Sequence, residues 1–470
     1  MWNRPQNKSS HLRRRWQSAW GFQVCASALV GCECHPGRLL LDGEGLDYRM
    51  RTVFVFVMFS VWITSVVAAS EFSPLGTAPD WSRLDPYQST ISKTTFKDLL
   101  DNVYSIDGAH KLTIKVGKDH AMIETGTDKP YRLQFVAAGA SSKKTVARFW
   151  RPASSLAPAP PRRCLLGLHV ALDPGHLGGQ WAKMEERWYQ MGTGGSVKEG
   201  EMTLRAAKLL KTKLERAGAM VSMVRDYMQP TTTMRPANFE ALARADLKRM
   251  GVVDPEEAYV FEDPPEKRRR SLQWHQEKYF YRASEIRARA KRVNDKIKPD
   301  LVLCLHFNAE AWGNPSEPEF VPRNHLHILV NGAYSLTELG RHDERFLMLL
   351  KLLQRCHSEE AAAANAIAKA IARHTQLPAF NYFTNNVKRF SPNPYLYARN
   401  LMANRLFECP VVYLEPYVMN CQEVYDRVQA GPYQGTKRMG DREVVNLYEE
   451  YAQSVFEGML AYYQDVRPKS

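Results

Sequence analysis

The chain has 470 residues, 44% of them hydrophobic and 24% charged. That balance is globular: it excludes wholesale disorder, collagen and extended coiled coil, and at roughly 150 residues per domain the length suggests about three units. Lys and Arg exceed Asp and Glu by 14, which suits polyanionic company such as nucleic acid, anionic lipid or anionic cell-wall polymer.

Residues 1–49 carry Arg13, Arg14 and Arg15 and a group of Cys25, Cys32, Cys34 and His35. A zinc knuckle would need a matching partner pair, and none follows; the stretch reads as an extension upstream of a true start at Met50. From Met50 the sequence MRTVFVFVMFSVWITSVVAAS has one Arg, an apolar run from Val53 to Val67 and small residues at Ala68, Ala69 and Ser70. That is the layout of a secretory signal peptide over 50–69, cleaved after Ala69. The alternative is an uncleaved transmembrane anchor, since about 18–20 apolar residues span a bilayer. Either way the body is exported, to the periplasm or to the cell exterior and wall. Membrane contact is expected only if the 53–67 segment stays uncleaved, and export argues against nucleic acid as a partner.

Five cysteines remain in the exported part, Cys164, Cys304, Cys356, Cys409 and Cys421. An odd, scattered set is no disulfide framework; Cys304 and Cys409 sit in apolar runs and read as small core residues, with a single bridge as the alternative. Residues 70–93 are rich in Ser, Pro and Thr. From 94 to 150 one helix-like stretch, Phe96–Val103, is followed by short alternating runs, His110–Val116 and Tyr131–Ala137, so that 70–150 reads as a small α+β or β-rich domain of unknown role. Residues 151–163, containing PASSLAPAPP, read as a semi-rigid Pro/Ala linker and a domain boundary.

Beyond it the pattern changes. Strand-like runs at Leu166–Leu172, Ala219–Val224, Leu301–His306, His325–Val330 and Pro410–Leu414 alternate with helical stretches at Thr203–Ala217, Glu285–Lys296 and Glu359–His374. Such alternation predicts an α/β region over 164–470, with a mainly parallel twisted sheet and helices on both faces.

In open α/β sheets, functional groups gather where strands end at the carboxyl edge. The first strand runs into Asp173-Pro174-Gly175-His176, with Gly178 and Gly179 beyond, a tight turn that projects His176. The Leu301 strand ends in His306 and Asn308, Glu199 opens a helix beside the first strand's exit, and the last strand ends in Glu415. Two imidazoles and two carboxylates thus come from four edges, and two His with one Glu and an open fourth position is a common catalytic zinc set.

These motifs in this order, DPGH, a Glu opening the helix KEGEMTLRAAKLL, then Ile286, Arg289 and Asn294 in EIRARAKRVN, then LHFNA and VVYLE followed by Asn420, resemble the zinc-dependent N-acetylmuramoyl-L-alanine amidases of the third amidase type over about residues 166–465. The resemblance implies that His176, Glu199 and His306 ligate Zn²⁺ and that Glu415 is the catalytic carboxylate, with Asp173, Asn308, Arg289 and Asn294 in support. It implies hydrolysis of the amide between the lactyl group of N-acetylmuramic acid and L-alanine in peptidoglycan. Peptidoglycan is then the expected partner, with a regulatory activator protein as a candidate. Two departures stand out. Here the run is EPYVMN, where the family usually has Gly and Phe after the Glu and an Asn six positions on. About fifty residues, 229–280, are inserted before the Arg289 helix, and Glu310–Asn324 form another insertion.

Other candidates are weighed against blander readings. Asp173 before Pro-Gly more often braces a turn than binds metal, and Glu201 is the fallback ligand to Glu199. His325 and His327 share one face of a strand but open it rather than end it, which favours packing or substrate contact. His169 reads as a satisfied core His, the Gly192–Gly195 loop lacks a phosphate-binding ending, and Lys267–Arg270 reads as a solvated charge run. In the larger insertion Phe239, Leu242, Ala243, Leu247 and Met250 recur at helical spacing. It is expected to form either a peripheral helix or a wall over the zinc cleft.

Overall fold

A computed structural model describes residues 71–468, apart from 138, 141, 143, 312, 315 and 316. The upstream extension with its cysteines, and the signal peptide or anchor, lie outside the described residues. Ser92 caps helix α1 (Lys93–Leu99) by accepting the Thr95 N–H. Strands β1 (Ile114–Val116), β2 (His120–Ile123) and β3 (Tyr131–Gln134) then form an antiparallel sheet.

The central sheet follows from β4 (His169–Pro174) onward. Helix α2 (Glu199–Arg216) leads to β5 (Met220–Met223). The insertion supplies α3 (Glu240–Arg249) and α4 (Leu272–Lys278), and the chain returns through α5 (Glu285–Lys291) to β6 (Leu301–Leu305). Next come β7 (Leu326–Val330), α6 (His342–Gln354), α7 (Cys356–Thr375), β8 (Leu396–Ala398), α8 (Met402–Leu406), β9 (Val411–Pro416) and α9 (Leu447–Val466).

The six strands lie in the order β8-β7-β9-β6-β4-β5. Strands β5, β4, β6 and β9 are parallel, whereas β7 runs against β9, with β8 parallel to β7. LVLCL in β6 is buried at every position, as a strand covered on both faces requires. On one face Val170, Leu172, Leu303, Ile328 and Leu414 pack with Leu210 of α2, Ile367 of α7 and Val455 of α9. On the other, Ala171, Val302 and Val411 meet Ala290 of α5, Leu406 of α8 and Trp150. The chain is therefore an α/β protein with a mainly parallel sheet between helical layers.

Residues before the Pro/Ala stretch belong to the same packing. Leu100, Tyr104, Ile114 and Leu133 lie in one hydrophobic cluster with Val330 and Phe346. The Ala333 and Tyr334 N–H groups donate to the Val103 and Tyr104 carbonyls at 2.8 and 2.7 Å. The stretch itself is tied down: Ala153 and Leu156 are buried, and Arg467 donates to the Ala157 carbonyl. It runs within one compact unit instead of spacing two, because its Ala and Leu side chains find apolar cover.

In the larger insertion Ala243, Leu247, Val252 and Leu272 make a small core of their own. Phe239 and Phe280 pack on Leu177 beside the DPGH turn, while Leu242 and Met250, from the same sequence stripe, are exposed. Arg268, in the run read as solvated, is buried against Glu186 at 3.2 Å. All five described cysteines are buried and unpaired. No described helix is long and apolar enough to cross a membrane.

Candidate metal centre

The turn after β4 holds His176 in the left-handed region, φ 56°, a strained conformation for a residue with a Cβ. Arg289 clamps this turn: it donates to Asp173 Oδ1 at 3.0 Å, to the Pro174 and His176 carbonyls at 2.9 and 3.3 Å, and to Glu285 Oε1 at 2.8 Å. Asp173 therefore braces the turn through Arg289. At Gly175 a Cβ would lie 2.2 Å from His306 Cε1, so only glycine lets the two strand ends approach. At Gly200 a Cβ would lie 2.3 Å from the Gly178 nitrogen, which brings the turn against the first turn of α2.

These approaches bring Glu199, the first residue of α2, between the two imidazoles. Glu199 Oε2 is 3.3 Å from His176 Nε2, and Oε1 is 3.0 Å from His306 Nδ1. Oε1 also accepts the Phe307 N–H at 3.2 Å, and Arg187 Nε lies 3.1 Å from Oε2. Burial alone would raise the Glu199 carboxyl, but the neighbouring His176, the hydrogen bond from His306 and the Arg187 guanidinium hold it down to about 2. Burial pushes His176 far below the usual imidazole range, so that it is neutral near pH 7. The His306 ring stacks on Tyr413, with centroids 4.3 Å apart.

One donor atom from each of His176, Glu199 and His306 lies within 4.8 Å of the other two. The donor set fits zinc: bonds of about 2.0–2.1 Å place two tetrahedral ligands about 3.3 Å apart, close to the His–Glu separations here. Two nitrogen donors and a carboxylate also leave a fourth position free for chemistry.

Glu415, at the end of β9, belongs to the same neighbourhood. Burial, and then the Glu199 charge, push it up to about 7 against the pull of His306, Arg187 and Arg399. Because β7 is antiparallel to β9, His327 lies opposite Glu415. The H-x-H pair therefore borders the site, although it opens its strand. His327 packs with Phe380 and Tyr382, and His325 Nε2 lies 3.2 Å from Glu310 Oε1.

Asn420 is buried and exchanges hydrogen bonds with the Glu310 backbone, taking its N–H at 3.0 Å and donating to its carbonyl at 2.9 Å. It ties the EPYVMN loop to the second insertion. The Asn308 backbone pairs with Tyr417 and Met419, and its side chain takes the Ala309 N–H. Asn294 stands elsewhere: it bonds the Leu406 carbonyl and the Glu408 N–H and shapes the lead into β9. Glu201 pairs with Lys198 away from the imidazoles, and His169 is satisfied by Ser222 at 2.9 Å. Gly195 is fastened to Gln429, giving its N–H to the side-chain oxygen and accepting from the side-chain amide.

Three neighbours of the cluster escaped sequence reasoning: Glu185, Arg187 and Tyr413. The first two come from an irregular loop, and their only signal is a run of charge between DPGH and Glu199.

No family model and no curated protein matches the chain. In structure it is similar to the N-acetylmuramyl-L-alanine amidase Ami1 from Mycobacterium abscessus, at 14% identity, covering 63% of this chain and 99% of that one, TM-score 0.34. It is also similar to the N-acetylmuramoyl-L-alanine amidase AmiC2 of Nostoc punctiforme, at 14% identity over 63% and 97% of the two chains, TM-score 0.33. A third similar structure is the CwlD amidase from Clostridioides difficile in complex with the GerS lipoprotein, at 11% identity over 63% and 99%, TM-score 0.34.

Proposed function

We propose that this protein is an exported, zinc-dependent N-acetylmuramoyl-L-alanine amidase acting on peptidoglycan. The observation that carries the reading is the buried Glu199 carboxylate between His176 Nε2 and His306 Nδ1, with Glu415 at the end of the neighbouring strand. The order of motifs from DPGH to VVYLE carries the substrate class.

His176, Glu199 and His306 would hold the zinc, which when bound polarises the scissile carbonyl and acidifies water. Glu415 takes a proton from the attacking water onto a carboxylate oxygen and delivers it to the amide nitrogen as the C–N bond breaks. Arg289 and Asp173 keep the His176 turn in place during turnover. Tyr413 holds the His306 ring by stacking. His327, opposite Glu415, packs with Phe380 and Tyr382, and this group is the substrate contact in this reading. A regulatory activator is a further partner that this reading accommodates.

The test is digestion of purified peptidoglycan by the protein, with and without chelator and zinc add-back, reading products by mass spectrometry beside Glu415→Gln. Intact stem peptides with free L-Ala amino termini, released from unbroken glycan and lost on chelation and in the variant, are expected. Cleavage within the stem peptide would replace this reading with a zinc peptidase. Zinc binding with no cleavage would replace it with a gated enzyme awaiting its activator or with a wall-binding protein that has kept its zinc.

A further inference from the structure

Three consecutive residues before α2 leave the loop in three directions. Arg187 reaches Glu199. Glu186 is held by the insertion and the residues just after it: Arg268 and Arg282 lie 3.2 Å from its oxygens, and Trp274 Nε1 donates to it at 3.3 Å. Glu185 turns back under the DPGH turn and is buried there. Its Oε2 accepts the Leu177 and Gly178 N–H groups at 2.7 and 3.3 Å, and its Oε1 lies 3.7 Å from His176 Nδ1.

His176 therefore stands between two carboxylates, with Nε2 toward Glu199 and Nδ1 toward Glu185. We propose that Glu185 is the positioning residue of His176, holding the Nδ1 edge so that Nε2 is presented to the metal. This rests on the metal reading of the site given above. A histidine that ligates through one nitrogen commonly gives its other N–H to a carboxylate, which fixes its tautomer and rotation and raises its basicity. Here the need is sharper, because the backbone at His176 is left-handed and the ring's direction depends on what holds the turn. Glu185 is hydrogen-bonded to the two N–H groups that follow His176 and places its second oxygen 3.7 Å from the far edge of the ring. The insertion is tied to the same tripeptide, since Arg268 and Trp274 anchor Glu186.

The experiment compares zinc affinity, by chelator competition, and metal-free Tm in the full-length protein and its Glu185→Gln variant. Gln keeps the size and an oxygen for the Leu177 and Gly178 N–H groups but removes the negative charge facing Nδ1. Zinc affinity is expected to fall about 10- to 100-fold, with the metal-free Tm within about 2 °C of the parent. In a His176→Ala background the same change should cost no further affinity, as a residue acting through His176 requires. Equal affinity of the parent and Glu185→Gln overturns the proposal, as does an undiminished loss in the His176→Ala background. A drop in metal-free Tm that accounts for the lost affinity assigns Glu185 to folding of the turn and also overturns it. A parent that binds no zinc overturns the metal reading itself, and this proposal with it.

Discussion

His327 and Glu415 face one another across the antiparallel pairing of β7 and β9. Directly opposed residues in such a pair keep their Cβ atoms about 4.5–5.5 Å apart. His327 Nδ1 is buried without a hydrogen-bond partner among the described residues, so the ring has bonding capacity to offer beside Glu415. His327→Phe preserves bulk against Phe380 and Tyr382 and removes that capacity. Cleavage of a soluble muropeptide should slow about ten-fold, equivalent to about 1.4 kcal/mol in the barrier, with little change in Tm. An unchanged rate would leave His327 as packing alone.

Gly175 separates two strand ends that nearly touch. An added Cβ would meet the His306 ring, and forcing atoms into a filled site costs about 1–3 kcal/mol. Gly175→Ala should therefore lower Tm and weaken zinc together, as thermal denaturation and chelator competition would read. Full zinc affinity in this variant would mean that His306 can step aside without loss.

Arg289 makes four contacts with the His176 turn and α5, which use the fork of its guanidinium. Lysine carries the same charge but cannot fork. Arg289→Lys should cost about 2–3 kcal/mol in denaturant unfolding, since a net hydrogen bond contributes about 1 kcal/mol, and should release zinc more readily.

Lys351 and Glu360 form an ion pair with no exposed side-chain surface, 2.8 Å apart. Lys351 also donates to the Asn404, Phe407 and Cys409 carbonyls, and Glu360 takes the Val411 N–H at the start of β9. Glu360→Ala leaves a buried ammonium uncompensated and should cost about 3–5 kcal/mol. The double change Lys351→Met with Glu360→Leu should recover much of that, measured by urea unfolding.

Glu457 on α9 joins Arg373 and His374 at the end of α7. Burial would raise its carboxyl, but hydrogen bonds from Gln453 and His374 and the nearby charges hold it down to about 2. A folded value below the unfolded one contributes stability above the unfolded value, and this is lost as pH falls through the folded one. Glu457→Gln should therefore lower Tm at pH 7, and the gap to the parent should close between about pH 5 and pH 2. A gap independent of pH would show that the charge on Glu457 contributes nothing.

The residues of the candidate site are legible in the sequence because each closes an apolar strand or opens a helix, and those boundaries leave a trace in hydrophobic period. His176, Glu199, His306 and Glu415 can be named on that ground. Strand direction leaves no such trace. β7 reads the same whichever way it runs, so the sequence puts His325 and His327 far from the edge they occupy. Glu185 and Arg187 arise from a loop whose path is set by Gly178 and Gly200 meeting, a contact between distant positions that no local pattern records. The Pro/Ala stretch misleads in the other direction: its composition is that of a spacer, but Ala153 and Leu156 are buried. The edge strand β8 and the helices α6 and α9 go unmarked, for their burial comes from tertiary packing more than from a clean amphipathic stripe.

The shared packing of residues 71–150 with the sheet has a bearing on how this protein could be processed. A protease cutting near Ala159 would nick the chain without freeing the part that follows. The hydrogen bonds from Ala333 and Tyr334 to Val103 and Tyr104, and the apolar cluster around them, would keep the halves together. Trimming at that point would yield two chains that stay joined as one folded body.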